Sequence, residues 1–547
     1  MQKTKLLACT EATYLSSGYA RYYNALLRYL HNTGEFDICE LAAWGDVSNP
    51  QDNRWRSVPW KFIPVLPTRG NEQEKREYES NPQNKFGAWR FETACVQHQP
   101  DIVLGLRDIW HEQFAINSPL RKYYRHILSP AIDAIPQQYQ WLSWYKSADA
   151  VVTYTDWAKN VIEEVSSNQI KTVGAISPVC EPCYRPITDK ITHKQRFGFH
   201  PTSKIIGTVM RNQRRKLFPK LFEAFSKYIY KYNLTDTYLY CHTSYPDDNG
   251  FDFPTLLKEY NIGHRVIFTY VCRRCGNIFP SFFRDAKTWC HKCNSPDAGM
   301  TNTYVGIADE VMSDIYNTFD IYVQCASLEG LGMPQVEAAA CGVPVMAVDY
   351  SAMSEVVRKV NGFPIKVGYQ NVEMESGRIW SYPDVDHMVF LWENFFALDS
   401  QSRNELSLAA REGFEQHYRS WDWVGERWYN ILKNIEKPNH SWVGPPQLFQ
   451  PSKSPPPNSC SNSDFARWLI TDVLGEPHRL DSYFELRLVR DLNAGAINTV
   501  GGLYDNECSV YEQVNTQPFG RKEAYESIVN ICNYRNYWER VRSENCI

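Results

Sequence analysis

The chain has 547 residues, of which 43% are hydrophobic and 22% are charged, and its formal net charge is −4. A chain of this length is too long for a single hydrophobic core, so we expect two or three domains. The near balance of charge gives no global reason for a nucleic-acid or acidic-membrane partner, and the sequence contains no run of about 18 apolar residues that would predict a transmembrane helix. The N-terminus becomes polar too soon for a secretory signal, which predicts a cytoplasmic protein.

The first 190 residues alternate between buried-strand and helical patterns, which is typical of a parallel sheet. Gly18 lies in the turn between the first strand, at residues 6–9, and a helix over residues 20–31. Asp133 follows a strand predicted at residues 126–132, at the carboxyl edge where open α/β sheets bind ligands. We predict a doubly wound, Rossmann-like domain over residues 1–190, in which Asp133 is either a binding residue or a turn former at the strand end.

A second Rossmann-like domain is predicted over residues 191–419. It opens with a strand at residues 204–210, and five Lys and Arg residues follow within positions 211–220, before an amphipathic helix. Such a run of charge is most often a solvated face, although it also suits a phosphate site.

Two Cys-x-x-Cys pairs interrupt this second domain. Cys272 and Cys275 are separated by fourteen residues from Cys290 and Cys293. This spacing is typical of a zinc ribbon, in which two turns supply two thiolates each and leave no open position for water. We therefore predict a structural zinc site in an insertion over residues 270–300.

The composition changes after residue 436. Residues 437–463 are rich in Pro, Ser and Asn, which predicts a linker. Residues 464–547 carry nine Lys and Arg against thirteen Asp and Glu, with a turn at Gly501 and Gly502. This acidic balance argues against a nucleic-acid tail. Our hypothesis for the C-terminal α+β module is an interaction or homo-oligomerisation role.

The most informative stretch is residues 327–345. An apolar strand leads into a loop that contains Gly330 and Gly332, and a helix begins near Pro334. A helix that begins directly after a glycine loop presents unpaired N–H groups, which many folds use to hold phosphate. Glu329 before the helix and Glu337 in its first turn place two acids along one ligand. Gly-x-Gly alone would indicate only a tight strand-to-helix corner.

The whole stretch resembles the signature of family 4 glycosyltransferases, which are retaining enzymes with two facing Rossmann-like domains, the GT-B fold. The resemblance covers residues 5–435, and Glu329 and Glu337 match the family's two acids, with seven residues between them. It implies that Glu337 binds the ribose hydroxyls of a nucleotide and that Glu329 lies near the donor sugar. The loop residues between these acids would contact the nucleotide-sugar, namely Gly330, Leu331, Gly332 and Met333.

The same resemblance gives roles to residues elsewhere in the chain. Arg211 and Lys216 match the family's Arg-x4-Lys pair, which neutralises the donor diphosphate and therefore implies no catalytic divalent metal. Gly18 takes the place of a glycine that approaches the donor phosphates. Many members have a histidine where this chain has Asp133, so Asp133 is assigned to the acceptor or to a donor-sugar hydroxyl. A helix over residues 420–436 would return to the first domain.

The sequence therefore predicts a retaining glycosyltransferase (EC 2.4) that moves a sugar from a nucleoside diphosphate donor to an unidentified glycan, lipid-linked sugar or small molecule. Two other hypotheses stay open. The ribbon and the C-terminal module suggest an enzyme that acts on a modified nucleic-acid base. A catalytically silent binding scaffold is the other hypothesis, and the joint presence of the two acids and two cations argues against it.

Overall fold

The protein is described by a computed structural model over residues 3–170, 172–301, 306–374 and 376–438. In its C-terminal part the described residues are 442, 456–457, 459–474, 480, 483–494, 521–522, 524–525 and 528–529. The turn predicted at Gly501 and Gly502, and most of the predicted linker, lie outside these residues. Within them, no helix combines the length and apolar character that crossing a bilayer requires.

The first sheet is parallel throughout and has seven strands in the order β3-β2-β1-β4-β5-β6-β7. Its strands are β1 (Thr4–Glu11), β2 (Phe36–Ala43), β3 (Lys61–Pro64), β4 (Ile102–Gly105), β5 (Arg125–Leu128), β6 (Ala150–Thr153) and β7 (Thr172–Ala175). The helices that connect them are α1 (Gly18–Asn32), α2 (Glu72–Ser80), α3 (Ala88–His98), α4 (Gln113–Ile116), α5 (Tyr139–Ser147) and α6 (Asp156–Val165). The five central strands, β2, β1, β4, β5 and β6, are mostly buried because helices cover both faces of the sheet, whereas the edge strands β3 and β7 are partly exposed.

The second sheet has nine strands, and six of them repeat the same parallel order, β10-β9-β8-β14-β15-β16. Its strands are β8 (Lys204–Val209), β9 (Thr237–His242), β10 (Val266–Cys272), β11 (Ile278–Phe282), β12 (Lys287–Cys290), β13 (Ser295–Met300), β14 (Ile321–Gln324), β15 (Val345–Val348) and β16 (Phe363–Ile365). A hairpin of β17 (Val367–Val372) and β18 (Ile379–Pro383) follows.

Helices pack around this second sheet, and further helices follow it in the chain. They are α7 (Lys190–Arg196), α8 (Phe218–Lys231), α9 (Phe253–Glu259), α10 (Asp309–Tyr316), α11 (Met333–Ala340), α12 (Ser351–Lys359), α13 (Val385–Ala397), α14 (Ser400–His417), α15 (Trp421–Asn434), α16 (Asn462–Trp468) and α17 (Tyr483–Ala494). The predicted fold class of two doubly wound parallel sheets is confirmed. The strand predicted at residues 126–132 ends earlier, at Leu128, and Pro130 follows with no N–H for the ladder.

The strands of the cysteine-rich insertion extend the second sheet. β10 pairs in parallel with β9 and antiparallel with both β11 and β13, and β12 pairs with β13. Phe279 of β11 packs against the main core of this half and also against the buried cysteines of the insertion. The insertion therefore shares its backbone hydrogen bonds and its core with the sheet.

Helix α15 lies against α1 of the first half. The indole N–H of Trp428 donates to the Tyr22 hydroxyl at 2.8 Å, and both side chains are buried. A Cβ at Gly425 would lie 2.2 Å from the Tyr29 ring, so only glycine permits this close approach of the two helices.

We predict that Gly425→Ala lowers the free energy of unfolding by about 1–3 kcal/mol, because the added methyl group overpacks the α1–α15 contact. Denaturant unfolding of the full chain measures the change. Gly263→Ala is the matched control, since its Cβ would meet nothing closer than 3.9 Å. Equal stability of the two variants would contradict the packing account.

Candidate active site

The buried carboxylate of Glu329 is the centre of the cleft. It lies in the loop between β14 and α11, and its side chain is 8% exposed. The Lys216 ammonium contacts Oε1, which also accepts from Gln324 Nε2 at 2.7 Å, and Arg215 Nη1 donates to Oε2 at 2.9 Å. A carboxylate in so dry a position requires such partners, because an unpaired buried charge is costly.

The cations reach Glu329 because the chain turns sharply after β8. A 3₁₀ turn over Arg214–Lys216 precedes α8. The backbone N–H of Ser327 donates to the Arg215 carbonyl at 2.7 Å, which ties the turn to the loop of Glu329. Burial and the neighbouring Arg215 charge lower the pKa of Lys216, whereas the contact with the Glu329 carboxylate favours its charged ammonium form.

Arg211 lies apart from this centre. Its guanidinium makes two hydrogen bonds to Asp247, at 2.8 and 3.2 Å, and its side chain is 45% exposed. The structure therefore brings Lys216 to Glu329 together with Arg215, which sequence reasoning did not single out. Its place beside Lys216 in the cationic run was the only signal for it.

Ser351 fixes the backbone of the Glu329 loop. Its hydroxyl accepts from the Glu329 N–H at 3.1 Å and donates to the Glu329 carbonyl at 3.2 Å. Ser351 is buried and has a φ of 55°, a left-handed conformation that is unfavourable for a non-glycine residue. No local pattern predicts this contact, because Ser351 begins α12 whereas Glu329 lies in the loop before α11.

Glu337 is bound from both halves of the molecule. It is the fifth residue of α11, just beyond the first turn, and its side chain is 5% exposed. Tyr316 donates its hydroxyl to Oε2 at 2.7 Å, and Arg21 of α1 donates to Oε1 at 3.1 Å. Arg21 also pairs with Asp309 at 2.9 Å. Arg21, which the sequence analysis missed, thus connects the first half to the second.

The glycine loop between the two acids lies directly against the first half. A Cβ at Gly330 would lie 2.8 Å from the Cβ of Ala131, which explains the need for glycine. Gly332 has a φ of 82° and caps α11, Leu331 is buried, and Met333 is the first residue of the helix. Gly18 begins α1 with open space around its Cα, so a ligand can approach the backbone there.

Asp133 is also held by a residue of the second half. Arg378, the residue before β18, donates from Nη1 to both carboxylate oxygens at 3.0 Å. The neighbouring Ile379 N–H donates to the Ile135 carbonyl at 2.9 Å. The negative charge of Asp133 is therefore neutralised across the cleft.

Asp108 is a further acid of the cleft that sequence reasoning missed. It follows β4, the strand next to the one that precedes Asp133, and it is partly exposed. Burial of the carboxyl raises the pKa of Asp108 to about 7, and the nearby Asp133 charge adds to the increase, while a hydrogen bond from Tyr19 opposes it. Its position just beyond the carboxyl end of β4, where open α/β sheets bind ligands, was the available signal.

Residues 283–379, which include both Glu329 and Glu337, match the family model described as glycosyl transferases group 1. The chain carries a glycosyltransferase group 1 domain.

Solved structures of GT-B glycosyltransferases share the fold. Sucrose-phosphate synthase from Thermosynechococcus elongatus matches 79% of this chain and 98% of its own, with 14% identity and a TM-score of 0.56. The match with Anabaena HepE in complex with UDP and glucose covers 79% of this chain and 100% of the HepE chain, with 11% identity and a TM-score of 0.54. The match with a glycosyltransferase from Rickettsia africae covers 80% of this chain and 100% of that protein's chain, with 14% identity and a TM-score of 0.54. The comparison with curated proteins found no match.

A cavity of about 880 Å³ lies along α1 of this glycosyltransferase. It is bounded by the outward face of α1, including Arg21 and Asn24, and by Asp309 and Trp421. The cavity is thus lined by Arg21, which contacts Glu337, and by Asp309, which pairs with Arg21. Lys216, Glu329 and Asp133 do not line it. The cavity is therefore separate from the centre around Glu329.

The four cysteines of the insertion come together in the glycosyltransferase as the sequence predicted. All four sulfur atoms, of Cys272, Cys275, Cys290 and Cys293, lie within 4.8 Å of one another. Two of the separations are 3.5 and 3.7 Å. Tetrahedral zinc with Zn–S bonds of about 2.3 Å requires sulfurs about 3.8 Å apart, so this donor set fits the ion.

We predict that Lys216→Met destabilises the fold by about 3 kcal/mol, the low end for breaking a buried pair, because Arg215 still partners Glu329. The double variant Lys216→Met, Glu329→Gln should recover most of this loss, since no buried charge is then left unpaired. Denaturant unfolding of the wild type, both single variants and the double variant measures the coupling. Additive losses would show that the pair is not coupled.

Proposed function

We propose that the protein is a retaining family 4 glycosyltransferase that transfers a sugar from a nucleoside diphosphate sugar. The observation that carries the proposal is the arrangement of Glu329 and Glu337 at the two ends of one glycine loop, with Lys216 and Arg215 at the first acid. An acid at one end suits ribose hydroxyls, and clustered cations at the other suit phosphate.

In this proposal Glu337 accepts hydrogen bonds from the ribose, while the donor sugar lies near Glu329. Lys216 and Arg215 stabilise the charge that develops on the leaving diphosphate, together with the N–H groups at the start of α11. These groups supply the positive charge that a divalent metal supplies in other glycosyltransferases. Arg211 joins them if its guanidinium leaves Asp247, which its exposed position permits.

The identities of the donor nucleotide and of the acceptor can be tested directly. The structure of HepE in complex with UDP-glucose supports a UDP-sugar as the first donor to examine. Asp133 is proposed to orient a hydroxyl of the donor sugar or the acceptor, with its charge balanced by Arg378. A cytoplasmic location and homo-oligomerisation through the C-terminal module remain predictions.

We also propose the domain division that the sequence predicted. Residues 1–190 and the helix over residues 420–436 form the acceptor domain, and residues 191–419 form the donor domain. The contact between Trp428 and Tyr22 supports the return of that helix to the first domain. The cysteine-rich insertion would hold a structural zinc ion, with all four positions of the metal filled by thiolates.

The donor site predicts that Lys216→Ala and Glu337→Ala each weaken nucleotide binding at least tenfold, about 1.4 kcal/mol or more. The first variant removes a charge beside the diphosphate, and the second removes the ribose acceptor. Thermal shift with UDP-, GDP- and ADP-glucose identifies the nucleotide, and calorimetric titration with it measures the affinities.

Lys220→Ala is the matched control for this experiment. Lys220 belongs to the same cationic run, but its ammonium pairs with Glu223 at 2.9 Å on the surface of α8. Its loss should leave nucleotide affinity unchanged. Unchanged affinity in both Lys216→Ala and Glu337→Ala would refute the proposed donor site.

The cysteine cluster predicts one zinc ion per chain by metal analysis of the purified protein. Cys290→Ser should lose the ion and destabilise the second half, because the buried sulfur anchors β12 next to β13. Cys183→Ser, which changes a cysteine of the separate pair at residues 180–183, should retain it. Stoichiometric zinc in Cys290→Ser would contradict the assignment.

A further inference from the structure

One face of the sheet extension in the cysteine-rich insertion is open to solvent. Ala298 of β13 pairs with Cys272 of β10, and the two residues form a small buried cluster with Cys290 of β12. Along β12 the exposure alternates, because successive strand residues point to opposite faces. Cys290 is buried, whereas Lys287 and Trp289 are exposed. The cysteines therefore occupy one face of this sheet, and Lys287 and Trp289 lie on the other.

Two aromatic rings are exposed on this open face. Among residues 270–300, all of which the structure describes, the exposed large apolar side chains are Trp289, at 60%, and Phe282, at 43%. Phe282 pairs with Ile267 of β10. Lys287 pairs through β13 with Val271, which lies four residues further along β10 and so on the same face as Ile267. The rise per residue and the spacing between strands place the two rings about 20 Å apart, as separate contacts and not as one apolar patch.

The cations of the insertion lack acidic partners. Residues 270–300 contain five Lys and Arg against two Asp, a net charge of +3, although the whole chain has −4. None of the five cations belongs to a salt bridge of the described residues, and all five are exposed. They are Arg273, Arg274, Arg284, Lys287 and Lys292. A zinc ion with four thiolates would have a formal charge of about −2, but it would lie on the face that holds the cysteines.

Two of these cations flank Trp289. Lys287 lies two residues before it, on the same strand and the same face. The Arg273 N–H donates to the Asp297 carbonyl at 3.0 Å, which holds Arg273 beside β13, the neighbour of β12. The Asp297 carboxylate accepts from the Ser295 hydroxyl at 2.6 Å. An exposed ring between cations on a sheet face suits a single strand, because bases stack on the ring and phosphates contact the cations.

An anionic membrane fits this face less well. Binding in a membrane interface requires a continuous apolar surface beside the cations, whereas the rings of Trp289 and Phe282 are about 20 Å apart. A flexible single strand can reach both rings, because every nucleotide along it carries a base that can stack.

We propose that this face binds single-stranded nucleic acid, with bases stacked on Trp289 and Phe282 and phosphates at Lys287 and Arg273. DNA and RNA share the chemistry that these groups recognise. The surface needs no nucleotide-sugar in order to bind, so its loss and the loss of the donor site can be measured separately.

Fluorescence anisotropy with the full chain tests the proposal. The probes are labelled oligo-dT and oligo-U of about 20 nucleotides, at about 50 and about 200 mM salt. The wild type should bind at least one of them at the lower salt concentration. Its affinity should fall about tenfold at the higher concentration, because cations that contact phosphates release condensed counterions.

Two substitutions separate stacking from charge. Trp289→Ala should weaken binding at least about fivefold, whereas Trp289→Phe should keep most of the affinity because a ring remains. Lys287→Gln should weaken binding and make its dependence on salt less steep, since one phosphate contact is lost. All three variants should keep the wild-type thermal unfolding midpoint and nucleotide-sugar affinity, because both side chains are exposed.

Phe390→Ala is the matched control. Phe390 is another exposed aromatic residue of the second half, at 52%, but it lies on α13 outside the insertion. Its loss should leave the affinity for both oligonucleotides unchanged.

Three results would overturn the proposal. The first is a wild type that binds neither oligonucleotide at the lower salt concentration. The second is wild-type affinity in both Trp289→Ala and Lys287→Gln. The third is equal or tighter binding to poly-glutamate or to vesicles of phosphatidylglycerol, which would show that the face recognises negative charge or a membrane instead of bases. A preference for oligo-dT or for oligo-U would support the proposal and identify the nucleic acid as DNA or RNA.

Discussion

The pairing of buried Glu329 with Lys216 and Arg215 is the interaction on which the cleft depends. The buried carboxylate of Glu329 and the buried ammonium of Lys216 are stable because they pair with each other, and the half-buried Arg215 pairs with the same carboxylate, so the turn after β8 and the loop after β14 must keep their positions together. The hydroxyl of Ser351, a residue with a φ of 55°, holds the backbone of the Glu329 loop. The site is thus preorganised around charges that a phosphate-bearing ligand would meet on arrival.

A few specific side-chain contacts join the two halves of the molecule across the cleft. Arg21 of α1 contacts Glu337, and Arg378, the residue before β18, contacts Asp133. Gly330 lies against Ala131 with no room for a side chain. Glu337 of the second half and Asp133 of the first half are therefore each bound by a residue of the opposite half. A nucleotide that binds Glu337 would act on the Arg21 contact and so on the relation between the two halves.

The cysteine-rich insertion is a continuation of the second sheet. Its strands pair with β10, and Phe279 joins the core of the sheet to the buried cysteines. A structural metal at this edge would stabilise the end of β10 directly. This arrangement explains how an insertion can lie inside a Rossmann-like unit without interrupting its parallel strand order.

The sequence by itself determined the features that depend on local pattern. These are the alternation of strands and helices, the glycine loop with its two acids, and the cysteine spacing, because each is encoded by residues close together in the chain. The tertiary structure alone decided which charges meet. Arg215 rather than Arg211 contacts Glu329, Arg21 and Arg378 neutralise acids across the cleft, and Asp108 keeps a neutral partner. These pairings join residues that are far apart in the chain, and burial sets their strength, so no local pattern records them.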